Sequence, residues 1–136
     1  MSNKKTKIIQ VKTSSQNQFI DITNEIISCL EKAKIDNGIC CVYVPHTTAA
    51  VTINENADPD VRRDMLIGLE DIVSETLDYK HAEGNSTAHI KSSLIGNSVN
   101  VIVENGNLLL GTWQDIYFCE FDGPRSRKVY VKILSG

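Results

Sequence analysis

Val99–Leu134, VNVIVENGNLLLGTWQDIYFCEFDGPRSRKVYVKIL, is the stretch that decides the fold class. Val99, Val101 and Val103 recur at every second position, the period of a half-buried strand. Asn105-Gly106 follows as a type I′ hairpin signal, since both central residues of that turn must take positive φ. Leu108–Leu110, Ile116–Phe121 and Lys128–Leu134 then read as further strands of a meander. Asp122-Gly123-Pro124 turns the chain before the last of them.

Toward the N-terminus the period changes. Asp58-Pro59 is a helix start: Asp58 caps, and Pro59 fits the first position, where no N–H is needed. Val61, Met65, Leu66, Leu69, Ile72 and Val73 give that helix an apolar stripe to about Val73. HTTAAVTINEN before it suits a strand, with Thr48, Ala50 and Thr52 on one side and Ala49, Val51 and Ile53 on the other. Ile39–Val44 (ICCVYV) is nearly all apolar and predicts a central strand covered on both faces. A second amphipathic helix is carried by Ile22, Ile26, Ile27, Leu30 and Ala33, begun by Asp21 or Thr23 and stopped at Asn37-Gly38. Lys7–Lys12 reads as the first strand. The expectation is an α+β fold: a mostly antiparallel sheet with two longer amphipathic helices against it.

A chain of 136 residues is expected to form a single domain over 1–136. At that size roughly two thirds of the unfolded surface can be buried without a disulfide or metal staple. The net charge is only −3 and aromatics make up 6%, with no basic stripe, so nucleic acid is not an expected partner. No apolar run approaches the roughly 20 residues of a membrane-spanning helix. MSNKKTK lacks the apolar core of a signal peptide. Cys29, Cys40, Cys41 and Cys119 contain no C-x-x-C pair and are expected as buried, reduced thiols, which points to the cytoplasm.

The chemistry concentrates in Tyr79–Gly96, YKHAEGNSTAHIKSSLIG, which holds two of the three histidines. On a continuous helix His81 and His89 would stand about 12 Å apart along the axis, too far to share a ligand. A bend at Glu83-Gly84-Asn85 would let them cooperate, because Gly and Asn tolerate left-handed conformations. His46, directly after Pro45 at a strand end, is the candidate third member. Three neutral imidazoles around an open position suit zinc or a related transition metal; hydrogen-bonded core or surface imidazoles are the plainer alternative. Among the carboxylates, Glu83 has no evident structural duty and is the best candidate for general acid/base work. Glu55 and Asp58 lie between a strand and a helix, where Asp58 already serves as a cap, and Asp122 can simply serve its turn. Lys91-Ser92-Ser93, Gly96 and Arg125 offer an anion site; Arg127 reads as solvated surface charge and Trp113 as core.

The runs PHTTAAVTINENADPDV, YKHAEGNSTAHIKSSLIG and VENGNLLLGTWQDIYFCEFDGPR, with the final strand, resemble the YjbQ family over nearly the whole chain. The resemblance implies a compact α+β subunit assembled as a homotrimer, with the active cleft near subunit contacts. It also implies a secondary thiamine-phosphate synthase activity, joining hydroxymethylpyrimidine diphosphate to a thiazole phosphate, with the native reaction unassigned. The family's motif positions fall on His46, Asn54, Glu55, Asp58, His81, Glu83, Asn85, His89, Gln114, Asp122 and Arg125. Asn54, Asn85, Gln114 and Arg125, with Lys91, Ser92 and Ser93, are then expected to bind substrate, while Glu55, Asp58, Glu83 and Asp122 act as catalytic carboxylates. His46, His81 and His89 would hold a divalent metal, zinc-like in preference to magnesium, because magnesium favours oxygen ligands. The resulting expectation is a small-molecule enzyme on a phosphorylated substrate, a transferase of this kind or a metal-dependent hydrolase. A non-catalytic metal- or ligand-binding homotrimer is the alternative.

Overall fold

Strand alternation divides this chain between two sheets, described by a computed structural model over residues 5–136. The first four residues of MSNKKTK, on which the signal-peptide reading partly rests, lie outside the described residues. In chain order the elements are β1 (Lys7–Lys12), β2 (Gln18–Asp21), α1 (Thr23–Ala33), β3 (Gly38–Tyr43), β4 (Ala49–Glu55) and α2 (Pro59–Ile72). There follow α3 (Ser86–Ile95), β5 (Ser98–Glu104), β6 (Asn107–Leu108), β7 (Gln114–Glu120) and β8 (Ser126–Ser135).

One sheet has five strands in the order β1-β8-β3-β5-β6, the other three in the order β2-β7-β4. All pairings are antiparallel. Ile9 and Val11 of β1, Cys40 and Val42 of β3, and Val129, Val131 and Ile133 of β8 bury their side chains against Ala49, Val51, Ile116 and Phe118 of the smaller sheet. Ile22, Ile26, Leu30 and Ala33, on and beside α1, complete this core. The opposite face of the smaller sheet, with Ala50 and Cys119, is covered by Leu69 of α2 and Ala88 of α3. The two faces expected for β4 are therefore the two faces found.

The α+β class and antiparallel pairing hold, with differences that have physical causes. A single meander does not form. Residues 116–121 are buried without a break, so β7 runs between layers and pairs with β2 and β4 instead of β5 and β8. β3 is covered on one face only: Ile39 is 48% and Tyr43 42% exposed. β6 is two residues long, shorter than Leu108–Leu110 suggested. The hairpin before it is as expected, with Asn105 at φ 53 and Gly106 at φ 77. Among the described residues there are three helices, since the second half of the histidine stretch is α3. β2 occupies Gln18–Asp21, where the sequence predicts no strand and Asp21 reads only as a helix start. α1 stops at Lys34, left-handed at φ 56, before Asn37-Gly38. Asp58 caps α2 by accepting from Asp60 N–H at 2.9 Å, but the apolar stripe is only partly covered, with Ile72 70% exposed.

The four cysteines are free. Cys40 points into the core and Cys41 to the other face, half-buried. Burial pushes the Cys40 thiol up to about 12 and raises Cys119 as well. Neither forms a thiolate at neutral pH. No helix among the described residues is long and apolar enough to cross a membrane.

Candidate functional site

His81 and His89 meet because the chain bends where glycine allows it. Gly84 has φ +74 and Gly84 N–H donates to His81 O at 3.2 Å, closing a turn that leads into α3. The ring centroids of His81 and His89 are then 5.2 Å apart, edge to face. Glu83 Oε1 stands 3.9 Å from His81 Nε2.

Asn85 is the residue before α3, yet its side chain does not cap the helix. Its Nδ2 instead donates to Asp122 Oδ2 at 2.8 Å. Asp122 also accepts from Arg125, through its backbone oxygen at 2.7 Å and through Oδ2 at 3.0 Å. One carboxylate thus holds both an amide and a guanidinium at the cleft edge. Asn85 Oδ1 is buried without a hydrogen-bond partner.

Behind this edge lies a fully buried charge, Glu120, 0% exposed. Arg127 Nε donates to its Oε1 at 2.9 Å and Arg127 Nη2 to its Oε2. Thr13 Oγ1 donates at 2.8 Å, and the N–H groups of Phe121 and Asp122 donate at 3.1 and 3.0 Å. Burial alone would raise this carboxyl, but the Arg127 guanidinium and these donors hold it below the usual glutamate value. Gly123 is needed here because a Cβ would come within 2.3 Å of Ser15 O. Arg127 is therefore an interior residue, 5% exposed, and not a surface charge. The signal in the sequence was a lone Glu inside an otherwise apolar strand, which demands a buried cation.

His46 follows β3. The β3–β8 ladder stops at Tyr43 opposite Tyr130. Two residues along β8, Lys128 N–H donates to His46 Nε2 at 2.9 Å, in place of a strand partner. Burial, then the Arg127 charge, lowers the His46 pKa below the ordinary histidine value.

Two clefts meet at His46, Thr47 and His89. One, of about 460 Å³, continues along Ser92, Ser93, Gly96 and Asn97. The other, of about 360 Å³, is walled by His81, Glu83, Asn85, Asp122, Arg125 and Arg127. Thr47, Thr48 and Asn97 carried no sequence signal, being ordinary loop or core types.

Other candidates fall elsewhere. Lys91 is 2% exposed and turns inward, bonded to Glu70 on α2 and to Asn17 Oδ1 at 3.4 Å. Ser92 lines the first cleft, but its Oγ is spent donating to Ala49 O at 2.6 Å. Glu55 pairs with Gln114 at the far end of β4; Asn54 and Asp58 adjoin them. Ala49 and Asn54 are separated by about 17 Å of strand, so this group does not reach the histidines within one subunit. Trp113, expected in the core, is 61% exposed and lines neither cleft.

The metal expectation meets this geometry poorly. Among the described residues no group of three His, Cys, Asp or Glu side chains is placed to hold a metal ion. His46 also lacks a free lone pair, since its accepting nitrogen is already used.

Fold and site define a two-sheet α+β protein with a histidine-lined surface cleft. Residues 7–136 match the family model described as UPF0047 protein YjbQ-like. The chain is 53% identical to UPF0047 protein YugU of Bacillus subtilis over 130 residues, 94% of this chain and 98% of that one. It is 52% identical over 125 residues to a UPF0047 protein of Methanocaldococcus jannaschii, covering 92% and 91% of the two chains. A crystal structure of an uncharacterized conserved protein of the YjbQ/UPF0047 family from Clostridium acetobutylicum superposes with a TM-score of 0.91 at 57% identity, covering 93% and 98%. A protein of unknown function from Sulfolobus solfataricus gives 0.92 at 34% identity, covering 97% of each chain. This chain belongs to the YjbQ family.

Proposed function

We propose that the paired clefts are the active site of a small-molecule enzyme acting on a phosphorylated substrate. The observation that carries the reading is the edge-to-face pair His81–His89 in a cleft that Arg125 and Asn85, both held by Asp122, also line. Two adjacent imidazoles with Glu83 at hand are equipped to move protons. The guanidinium is equipped to bind and neutralise phosphate oxygens. Asn85 Oδ1, buried and unpartnered, adds a demand for a hydrogen-bond donor on the ligand.

The secondary thiamine-phosphate synthase activity implied by the resemblance fits these groups. Departure of diphosphate leaves charge on oxygen, and Arg125 with imidazole N–H donors would neutralise it. None of these steps is routed through a metal. Cytoplasmic residence agrees with the four free thiols. Assembly as a homotrimer is supported by the bare outer face of the five-stranded sheet, where Ile8, Ile39, Tyr43, Ile102 and Leu134 are exposed.

The purified chain is to be assayed for joining hydroxymethylpyrimidine diphosphate to thiazole phosphate and for release of phosphate from simple phosphate esters. His81→Ala and His89→Ala should each lower turnover by at least about a hundredfold, the usual scale of a lost acid/base group. Unchanged turnover in both variants overturns the enzyme reading and leaves the non-catalytic ligand-binding oligomer.

A further inference from the structure

A neutral imidazole carries one N–H and one lone pair, and the structure says which is which in His46. The Lys128 N–H points at Nε2 from 2.9 Å, so Nε2 must be the bare, accepting nitrogen. The proton then sits on Nδ1. Nδ1 has no hydrogen-bond partner among the described residues, and the residue lines both clefts. We propose that His46 is a fixed N–H donor that, with Arg125, binds the phosphate oxygens of the substrate, and that it is not a metal ligand.

The alternatives fail on one local fact. A metal on Nδ1 would need the lone pair there, and the ring proton would have to move to Nε2. Two N–H groups, those of His46 and Lys128, would then face each other at 2.9 Å. Protonating the ring to the imidazolium creates the same clash. Acting as a general base at Nδ1 is excluded for the same reason as metal binding. What remains is a donor of fixed direction, held in the cleft by a strand that has lost its neighbour. Such a group suits a phosphate oxygen, which only accepts.

The proposal rests on the reading of the clefts as a phosphate-handling site, but its test needs no turnover. The full chain, labelled with ¹⁵N-histidine, is observed by long-range proton–nitrogen NMR. Each ring is assigned from the spectra of His46→Gln, His81→Ala and His89→Ala. His46 should show a protonated Nδ1 and a bare Nε2 at neutral pH. Inorganic phosphate should shift the His46 Nδ1–H, and His46→Phe should weaken phosphate binding about tenfold or more, the loss of one hydrogen bond to a charged group. Added zinc should leave the His46 nitrogens unmoved even if His81 and His89 respond. A protonated Nε2, a zinc-shifted His46 ring, or phosphate affinity unchanged in a folded His46→Phe chain would each overturn the proposal. Inactive His81 and His89 substitutions bear on the enzyme reading alone, so the two failures are separable.

Discussion

Glu120 carries its charge where no solvent reaches it, and Arg127 is the reason it can. Removing one partner of a buried pair strands the other, so Arg127→Met should lower unfolding stability by about 3–5 kcal/mol in urea titrations at neutral pH. The pH dependence separates this from a simple packing loss. In the native chain the Glu120 carboxyl lies below its ordinary value of 4.5. Its contribution is therefore fully present above that value and is lost as pH falls through the lower folded one. In Arg127→Met the guanidinium is gone and burial is opposed only by the Thr13, Phe121 and Asp122 donors, so the carboxyl should rise and the loss of stability on acidification should shrink or reverse. Urea midpoints measured across the acid range read both signs; parallel curves for the two proteins would refute the account. His46 contributes in the same sense, since its lowered folded value makes its share complete above 6.5 and lost below.

At the scale of the element, the turn before α3 and the outer sheet face each support a prediction. Gly84 sits at φ +74 with open space where a Cβ would stand, so steric crowding plays no part. Gly84→Ala should then cost about 1–2 kcal/mol from left-handed backbone alone, read by thermal denaturation, with the histidine pair loosened. An unchanged melting temperature would show that the turn does not hold the pair. The sheet face presents Ile39 across from Ile102 on one side and Leu134 on the other, with Tyr43 stacked on Tyr130 at 6.3 Å. If copies of the chain associate through it, Ile39→Lys with Ile102→Glu should shift sedimentation equilibrium from trimer toward monomer without changing far-ultraviolet dichroism. A monomeric parent chain, or a trimer indifferent to both changes, would remove this face from the assembly. Some of this was legible in advance. The bend at Gly84 follows from the histidine spacing, and the hairpin at Asn105-Gly106 from its turn residues. β2 was hidden because four residues running straight into a helix leave no period to count. The exposed face of β3 was hidden because an all-apolar strand looks the same whether its second face is covered or bare.

For the whole molecule, the chain itself determined the longer strands, α1 and α2, the faces of β4, and the crowding of histidine, amide and carboxylate around Gly84. These are local properties, set by side-chain period, turn chemistry and backbone freedom. Tertiary structure alone decided that β8 lies between β1 and β3 while β7 joins β2 and β4. Alternation states which face is buried but not against what. The same limit governs the site. Lys91, expected to face substrate, turned inward because Glu70 on another helix was there to pair with it. Asn54, Glu55, Asp58 and Gln114 gathered at the far end of β4 because a strand is straight and about 3.3 Å long per residue. His46 acquired its tautomer from a backbone N–H 82 residues away. No local pattern could specify that proton; it was decided where β3 ended and β8 continued.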